Sequence, residues 1–396
     1  MIRSPLLSYL FLFGILSNLV LPEFLFLGIP VYPSYFISLM MLFVWILISL
    51  KPNVSINISK YIIYIFFILL SMFVSYAYAF IFLDAEVSSS MFRSELMRYL
   101  PSIPFLLMFN RIHVQERQIN IIVFLLFLIF TTVGLLQLLG IEKAVTIYSY
   151  ESHIDIALSG SRIVITGSDP NVGSIIASFF MIYFLSGFFH SRLYRSLALA
   201  LIAFSLILAT QGITTIIGAS IVTIIYITIA HRTNIFYKLA LFIGLFVSVF
   251  YIKQLFDLSY LDVGIQTLRH GENTSVNVRF ENIDYVLGNF IKSPILGWGN
   301  SLENSGLLQN IDSELFLILQ RYGIFGFIII ASLILTIIKH GFKHRDTRIG
   351  LFVLLMMCSL VFNMLTNVVF YGIKTSPIII FLLFCMSLQN KNKIYN

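Results

Sequence analysis

Charge is scarce in this chain. Of its 396 residues 11% are Asp, Glu, Lys or Arg, while 59% are hydrophobic and the mean hydropathy is +0.94. A soluble domain devotes about a quarter of its residues to charge. An ordinary water-facing fold is therefore excluded, and a polytopic membrane protein is the class that remains. Cysteine is scarce too: Cys358 and Cys385 both lie in apolar runs, where they read as small buried hydrophobes without a disulfide framework or a metal site. The period-2 alternation of a porin strand is missing, so the apolar runs read as helices. A phosphate-binding glycine-lysine loop, a dinucleotide glycine fingerprint and an HExxH pair are all missing. The seven histidines have no metal-ligand spacing. ATP-driven energy coupling within the chain is not expected, nor is a cofactor or metal. No small-residue cleavage site follows the first apolar run, which is expected to remain as a helix.

What is present is a series of apolar runs long enough to span ~30 Å of hydrocarbon. They fall near 5–27, 33–50, 60–83, 92–109, 119–140, 171–189, 196–210, 213–230, 238–255, 313–338, 349–370 and 376–388, which predicts about twelve transmembrane helices in a single membrane-embedded domain covering 1–396. The net charge of +7 sorts with these runs. With both termini placed inside, the inside segments are MIR, KPNVSINISK, RIHVQERQ, HSRLYR, HRTNIFYK, KHGFKHRDTR and QNKNKIYN. They hold 15 of the 25 Lys and Arg but 2 of the 18 Asp and Glu. Basic residues collect on the cytoplasmic side of membrane proteins. The basic balance thus reports topology, and no nucleic-acid partner is implied. Both termini are expected in the cytoplasm.

The same topology makes two outside segments long, 141–170 and 256–312. Function concentrates in loops that a rigid scaffold holds in place. Within the second, 279–292 predicts a short amphipathic helix. Phe280, Ile283, Leu287, Phe290 and Ile291 form its apolar stripe, with Arg279, Glu281, Asn282, Asp284 and Asn289 off it. Pro294, Gly297 and Gly299 stop it. Such a helix either lies in the membrane interface with its polar face toward substrate or merely covers the bundle.

Arginine is the next signal. Arg162, Arg269 and Arg279 sit in outer loops, where topology does not call for them. Arginine pairs bidentately with phosphate or carboxylate and keeps its proton. Each is either a phosphate ligand or one half of a salt bridge. In SRIVITGSDPNVGS (161–174), Asp169 reads as the N-cap of a helix opening at Pro170. In NIDSELFLILQRYGIFGF (310–327), Asp312 and Ser313 read as caps. Asp312 and Glu314 are also carboxylates at the mouth of a span, where a general base belongs. Arg321 lies about two turns inside that span, deep enough to need a partner or a function. Lys374 reads as an exposed loop lysine.

Together, SRIVITGSDPNVGS, NVRFENIDYVLGNFIKSPILGWGN (277–300) and DSELFLILQRYGIFGF (312–327), in that order, resemble the O-antigen polymerase and ligase family. The shared features are an Arg ahead of a Gly…Pro-Asn turn, and an Arg leading a short helix into a Pro-x-x-Gly-x-Gly element. The third is a polar start to a span containing Gly-x-x-Gly. The resemblance covers about 119–338. Two positions depart from it. Gln211-Gly212 stands where many members have Ser-Arg, and Asp312-Ser313-Glu314 stands where ligases place a histidine. The second departure favours polymerase over ligase.

The resemblance implies an all-α, GT-C-like membrane glycosyltransferase that polymerises oligosaccharide repeat units carried on undecaprenyl pyrophosphate, at the periplasmic face of the bacterial inner membrane. Arg279 and Arg162 would bind the pyrophosphate, and Asp312 or Glu314 would act as base. Arg321, Arg269, Asn171 and Trp298 would contact substrate. Membrane lipid, a chain-length regulator and a flippase of the same pathway are the implied partners. An O-antigen ligase acting on lipid A–core, a flippase or exporter of the lipid-linked sugar, and a non-catalytic scaffold are the alternatives.

Overall fold

Inside hydrocarbon a backbone must satisfy its own hydrogen bonds, which helices do within one segment. The computed structural model describes residues 4–26, 29–51, 58–83, 85, 89–149, 154–155, 158, 162–191, 194–229, 239, 243–244, 247, 274–299 and 313–392. In chain order the helices are α1 (Pro5–Leu16), α2 (Pro33–Ser49), α3 (Ile62–Phe82), α4 (Ser89–Tyr99), α5 (Ser102–Met108), α6 (Glu116–Leu138), α7 (Glu142–Thr146), α8 (Pro170–Ser191), α9 (Tyr194–Thr210), α10 (Ile213–Ile229), α11 (Thr274–Lys292), α12 (Glu314–Lys343), α13 (Arg348–Asn363) and α14 (Ser376–Asn392). A small antiparallel hairpin, β1 (Phe24–Phe26) with β2 (Ile29–Val31), joins α1 to α2 and pairs Phe24 with Val31. Four helices among the described residues are long and apolar enough to cross a membrane: α3, α6, the first 19 residues of α8, and α12.

Helix starts follow local chemistry. Asp169 Oδ1 accepts from Asn171 N at 2.8 Å and Val172 N at 3.0 Å, so the cap read from the sequence is present at α8. Gln115 and Gln118 form a capping box at α6, and Thr347 caps α13 through Gly350 N. The bundle is built around α8. In its most apolar window 89% of residues are buried, against 33–44% in α3, α6 and α12. The packing there is aromatic: Phe179, Phe180 and Tyr183 meet Phe127, Phe352 and Phe381, mostly edge to face.

The structure corrects several predicted boundaries. The single span expected at 92–109 is two short helices, α4 and α5, parted at Leu100-Pro101, since proline disfavours a helical residue before it. The run 5–27 leaves the helix at Leu16, passes through a 3₁₀ turn at Ser17–Leu19 and enters the hairpin. The run 349–370 stops being helical at Asn363. The amphipathic helix expected at 279–292 is present and begins earlier, at Thr274. Leu287 and Ile291 of its apolar stripe are exposed, while Val286, Asn289 and Ser293 are buried. The loop 256–312 and the span 238–255 lie largely outside the described residues.

One feature was hidden by continuous hydropathy. α12 is broken at Gly323, whose φ of 61° and ψ of −161° are open essentially to glycine alone. A helix broken there strands two carbonyls before the break and two N–H groups after it. The segment 294–299 satisfies all four. Trp298 N donates to Gln320 O and Gly299 N to Arg321 O, each at 2.8 Å; Ile324 N donates to Pro294 O at 2.8 Å and Phe325 N to Ile295 O at 3.1 Å. Gly297 (φ 72°) and Gly299 (φ 58°) give the segment the turns it needs. Ser75 Oγ on α3 donates to Leu296 O at 2.5 Å, and Trp298 Nε1 closes back on Asn289 O at 2.9 Å.

Gly323→Ala should therefore lower thermal stability of the purified protein by the equivalent of ~1–3 kcal/mol, the strain of a disfavoured backbone. Gly288→Ala, in a helical stretch of α11 with nothing within 4 Å of an added Cβ, should raise it by about 0.5–1 kcal/mol. Equal melting of the two variants would count against the break.

Candidate functional site

Arg162 is buried beside the last turn of α9. Its Nε donates to Thr210 O at 3.0 Å and its Nη2 to Asn171 Oδ1 at 3.2 Å. Two residues read from one motif are thus in direct contact. The backbone around them is strained. Among the described residues the non-glycine positions with positive φ are Ile165 (53°), Ser168 (74°) and Gln211 (54°), and all three belong to this corner. A β-branched residue with positive φ is a true outlier. It persists here because Gln137 of α6 grips the loop: its Oε1 accepts from Ile165 N at 2.7 Å and its Nε2 donates to Ile165 O at 2.8 Å. Gln137 was not singled out in the sequence, where a glutamine in an apolar run at the outer end of a span was the available signal.

From this corner a polar track crosses the bundle. Ser174 Oγ is within hydrogen-bond distance of Asn171 O (2.6 Å) and Thr215 Oγ1 (2.7 Å), and Thr215 Oγ1 donates to Asn363 Oδ1 at 2.6 Å. Asn363 ends α13. The next residue, Met364, accepts from Glu314 N at 3.0 Å. Glu314 is fully buried and its Oε1 accepts from Tyr371 N at 2.7 Å. Ser313 is the cap position of α12, but its side chain donates to Met364 O at 3.4 Å and leaves the helix N–H groups alone.

Beyond Tyr371 lies the ion pair that occupies Arg321. Tyr322 stacks on Tyr371 with ring centroids 5.6 Å apart. Glu95 of α4, fully buried, accepts from Arg321 Nη1 at 2.5 Å and from Tyr322 Oη at 2.7 Å. Arg321 is therefore an internal partner of α4, the ion pair that its depth in the span allowed as the alternative to a functional role. Glu95 is the carboxylate the sequence reading missed. A signal existed: Arg93, Glu95 and Arg98 sit inside a predicted span, where ionisable residues mark function or pairing.

Trp298 belongs to the segment clamped on α12 and is half-buried. Arg279 lies on α11, but its side chain is outside the described residues, as are Arg269 and Asp312 entirely. Among the described residues no three His, Cys, Asp or Glu side chains gather as metal ligands. No protein-family model matches the chain, and no curated protein matches it.

Lys374 is not the exposed loop lysine that its position suggests. It is buried, its Nζ donates to Leu21 O at 2.7 Å, and the rings of Tyr32 and Tyr148 lie 5.4 and 5.8 Å away. Burial pushes its pKa down from 10.5 to about 7, against the opposing field of Glu23. Unfolded, this lysine holds its proton to about 10.5; folded, it releases it near 7. Between those values the unfolded state binds more protons, so stability rises with pH. The melting temperature should climb from pH 7 to pH 9 in the wild type and climb less in Lys374→Met. Identical slopes would remove Lys374 as the cause.

Proposed function

We propose that this protein polymerises undecaprenyl-pyrophosphate-linked oligosaccharide repeat units at the periplasmic face of the bacterial inner membrane. It does so as a GT-C-like glycosyltransferase with about twelve spans and both termini in the cytoplasm. One observation carries the reading. The three stretches that resemble O-antigen polymerases are distant in sequence but tied to the same end of one bundle. The first reaches the third through Asn171, Ser174, Thr215, Asn363 and Met364, and the second is hydrogen-bonded onto the third at Gly323. A one-sided collection of buried polar groups suits an enzyme working at one membrane surface.

In this mechanism a hydroxyl of the acceptor repeat unit attacks the anomeric carbon of the donor glycan. The bond from that carbon to the pyrophosphate oxygen breaks, and undecaprenyl pyrophosphate leaves with its electron pair. Arg279, in the second turn of α11, offers cationic donors to the charge that develops there. Arg162 supports it from the loop before α8, beside the end of α9. The hydroxyl proton passes to a carboxylate at the start of α12. Asp312 and Glu314 are both candidates: Glu314 Oε1 accepts from Tyr371 N, while its buried Oε2 has no hydrogen-bond partner among the described residues.

The broken α12 favours a second reading. Transporters use discontinuous helices near the membrane midplane, and Gly323 lies about 14 Å along the helix from Glu314 at 1.5 Å per residue. A flippase or exporter of the same lipid-linked sugar would also need arginines. Purified protein in liposomes with undecaprenyl-pyrophosphate repeat units separates the readings. Longer lipid-linked glycans are expected. Translocation without new bonds would establish the flippase, and products formed only with lipid A–core would establish the ligase. In the same assay Arg279→Ala should abolish polymer at normal protein levels, with Arg279→Lys partly active because charge survives without the planar fork. Asp312→Asn or Glu314→Gln should lose activity, whichever carries the base; wild-type rates in both would remove the carboxylate base.

Topology has its own check. Cys placed at Glu142, exposed at the start of α7, in a cysteine-free background should react with an impermeant thiol reagent added to spheroplasts. Labelling only after lysis would reverse the orientation.

A further inference from the structure

The far end of α12, away from the break and the strained corner, carries a feature with no part in the mechanism above. Ile328, Leu335 and Phe342 are exposed and recur every seven residues, so they share one face of the helix. Lys339, four residues past Leu335, and Lys343, four past Lys339, continue that face, and both are exposed. On α3 the same order runs the other way. Exposed Lys60 stands just ahead of the helix, and exposed Ile63 and Phe67 follow at steps of three and four. Tyr64 Oη is 2.8 Å from Thr336 Oγ1, so the start of α3 lies beside the end of α12. The charges of Lys60 and Lys343 both act on His340. Hydrogen bonds from the end of α14 fix this platform. Gln389 Oε1 is 2.8 Å from His340 Nε2, and the adjacent Asn390 Nδ2 donates to Tyr61 Oη at 3.3 Å. One helix end thus sets the spacing between Lys60, beside Tyr61, and Lys339, beside His340.

Three ammonium groups at one place call for negative charge. Lys60, Lys339 and Lys343 make no ion pair among the described residues. Of the described carboxylates at this end, Glu116 is held by Arg348 at 3.1 Å and Asp346 is exposed in the turn after α12. An ammonium donates three hydrogen bonds and accepts none, so the partner must be an acceptor and an anion. Topology accounts for basic residues in every inside loop. It does not account for lysines that converge from two helices, each at the head of an exposed apolar face. Ile328 lies ~16 Å along α12 from Lys339 at 1.5 Å per residue. That is close to one leaflet, half of the ~30 Å hydrocarbon core. The guanidinium of Arg345 sits 4.3 Å from the ring centre of Phe342, as suits an aromatic at the level where hydrocarbon gives way to headgroups. A soluble polyanion would match the lysines alone. A molecule with an anionic head and chains one leaflet long matches the lysines and the faces below them.

We propose that this end of the α3–α12 pair binds one anionic phospholipid. Lys60, Lys339 and Lys343 hold its phosphate, and its acyl chains run along Leu335 and Ile328 of α12 and Ile63 and Phe67 of α3. Lipid binding here does not depend on the polymerase reading. In the orientation proposed above, the lipid belongs to the cytoplasmic leaflet. It bridges the start of α3 to the end of α12, the two helices that are also tied at the other end through Ser75 and the segment clamped on the break.

The test is native mass spectrometry of the full chain, released from neutral detergent that holds phosphatidylglycerol and phosphatidylcholine of matched chains at equal concentration. Each lysine near an anionic surface is worth about fivefold, so one phosphatidylglycerol should be retained over phosphatidylcholine by a factor on the order of 100. Lys60→Gln should weaken its retention about fivefold, and Lys339→Gln combined with Lys343→Gln about 25-fold. All three positions are exposed, so melting temperatures in lipid-free detergent should stay close to wild type. Arg117→Gln combined with Arg195→Gln removes the same charge as the lysine pair, from exposed positions at the starts of α6 and α9, and should leave retention unchanged. Three outcomes would overturn the proposal. Equal retention of both lipids by the wild type would mean that the apolar faces bind any lipid. A loss no greater in the lysine pair than in the arginine pair would mean that only the general charge of the inside surface acts. Displacement of the lipid by glycerophosphoglycerol, the same headgroup without chains, would mean a site for a soluble polyanion.

Discussion

The break in α12 at Gly323 and its repair by residues 294–299 constrain the rest of this end of the molecule. Water is absent at membrane depth, and an unpaired backbone group there costs several kcal/mol. Four such groups are exchanged between the broken helix and the clamped segment. The segment therefore cannot leave without exposing all of them together. Because it follows directly on α11, the same bonds set where α11 ends and how far its arginine-bearing start lies from the bundle. Glycine is required on both sides: Gly323 for the break, Gly297 and Gly299 for the turns that face it. The Pro-x-x-Gly-x-Gly and Gly-x-x-Gly patterns are two halves of one hydrogen-bonded joint.

The ion pair between Arg321 and Glu95 has to be read beside that joint. A buried pair contributes little net stability, since desolvation offsets most of the attraction. Its value here is placement. Arg321 follows Gln320, whose carbonyl is clamped, and precedes Tyr322, whose hydroxyl shares the same carboxylate. Glu95 thus ties the short α4 to the N-terminal part of α12, before the break. Tyr371 stacks on Tyr322 while its N–H holds Glu314. Charges and rings fix three separate segments, α4, α12 and the 364–375 turn, around one small volume.

How much of this was legible depends on the physics each feature uses. Hydropathy reveals long apolar runs, so α3, α6, α8 and α12 were expected where they are. Caps are local, so Asp169 was read correctly. The amphipathic stripe of α11 was legible for the same reason. What hydropathy cannot reveal is a helix interrupted within an apolar run: Gly323 interrupts α12 without changing its composition. Burial of a loop lysine is equally invisible, because the groups covering Lys374, Leu21 and Tyr32, come from the far end of the chain. The pairing of Arg321 with Glu95 joins positions 226 apart, and no local rule could name the partner. Of the site residues, Arg162 and Asn171 were read from one motif, and their contact came from the structure. Glu314 was read as a base candidate; in the structure it is fully buried and its Oε1 accepts from Tyr371 N.

The strained corner bears most directly on what kind of protein this is. Ile165 and Ser168 follow Arg162 closely in the chain, Gln211 follows the Thr210 whose carbonyl Arg162 holds, and each of the three disfavoured backbone positions costs about 1–3 kcal/mol. Gln137 uses both ends of its amide to keep Ile165 there, and Thr166 Oγ1 anchors the next residue to Leu19 O. A loop that served only to connect α7 to α8 would relax into an allowed conformation. A rigid, over-determined loop presenting a buried guanidinium suits a group that must stay in place while charge develops beside it, which is the preorganisation that transfer chemistry rewards. The break in α12 is held by four backbone bonds, and the Arg162 corner by side chains from α6 and α8. Both are locked devices. That rigidity suits the stationary catalytic surface of the proposed polymerase.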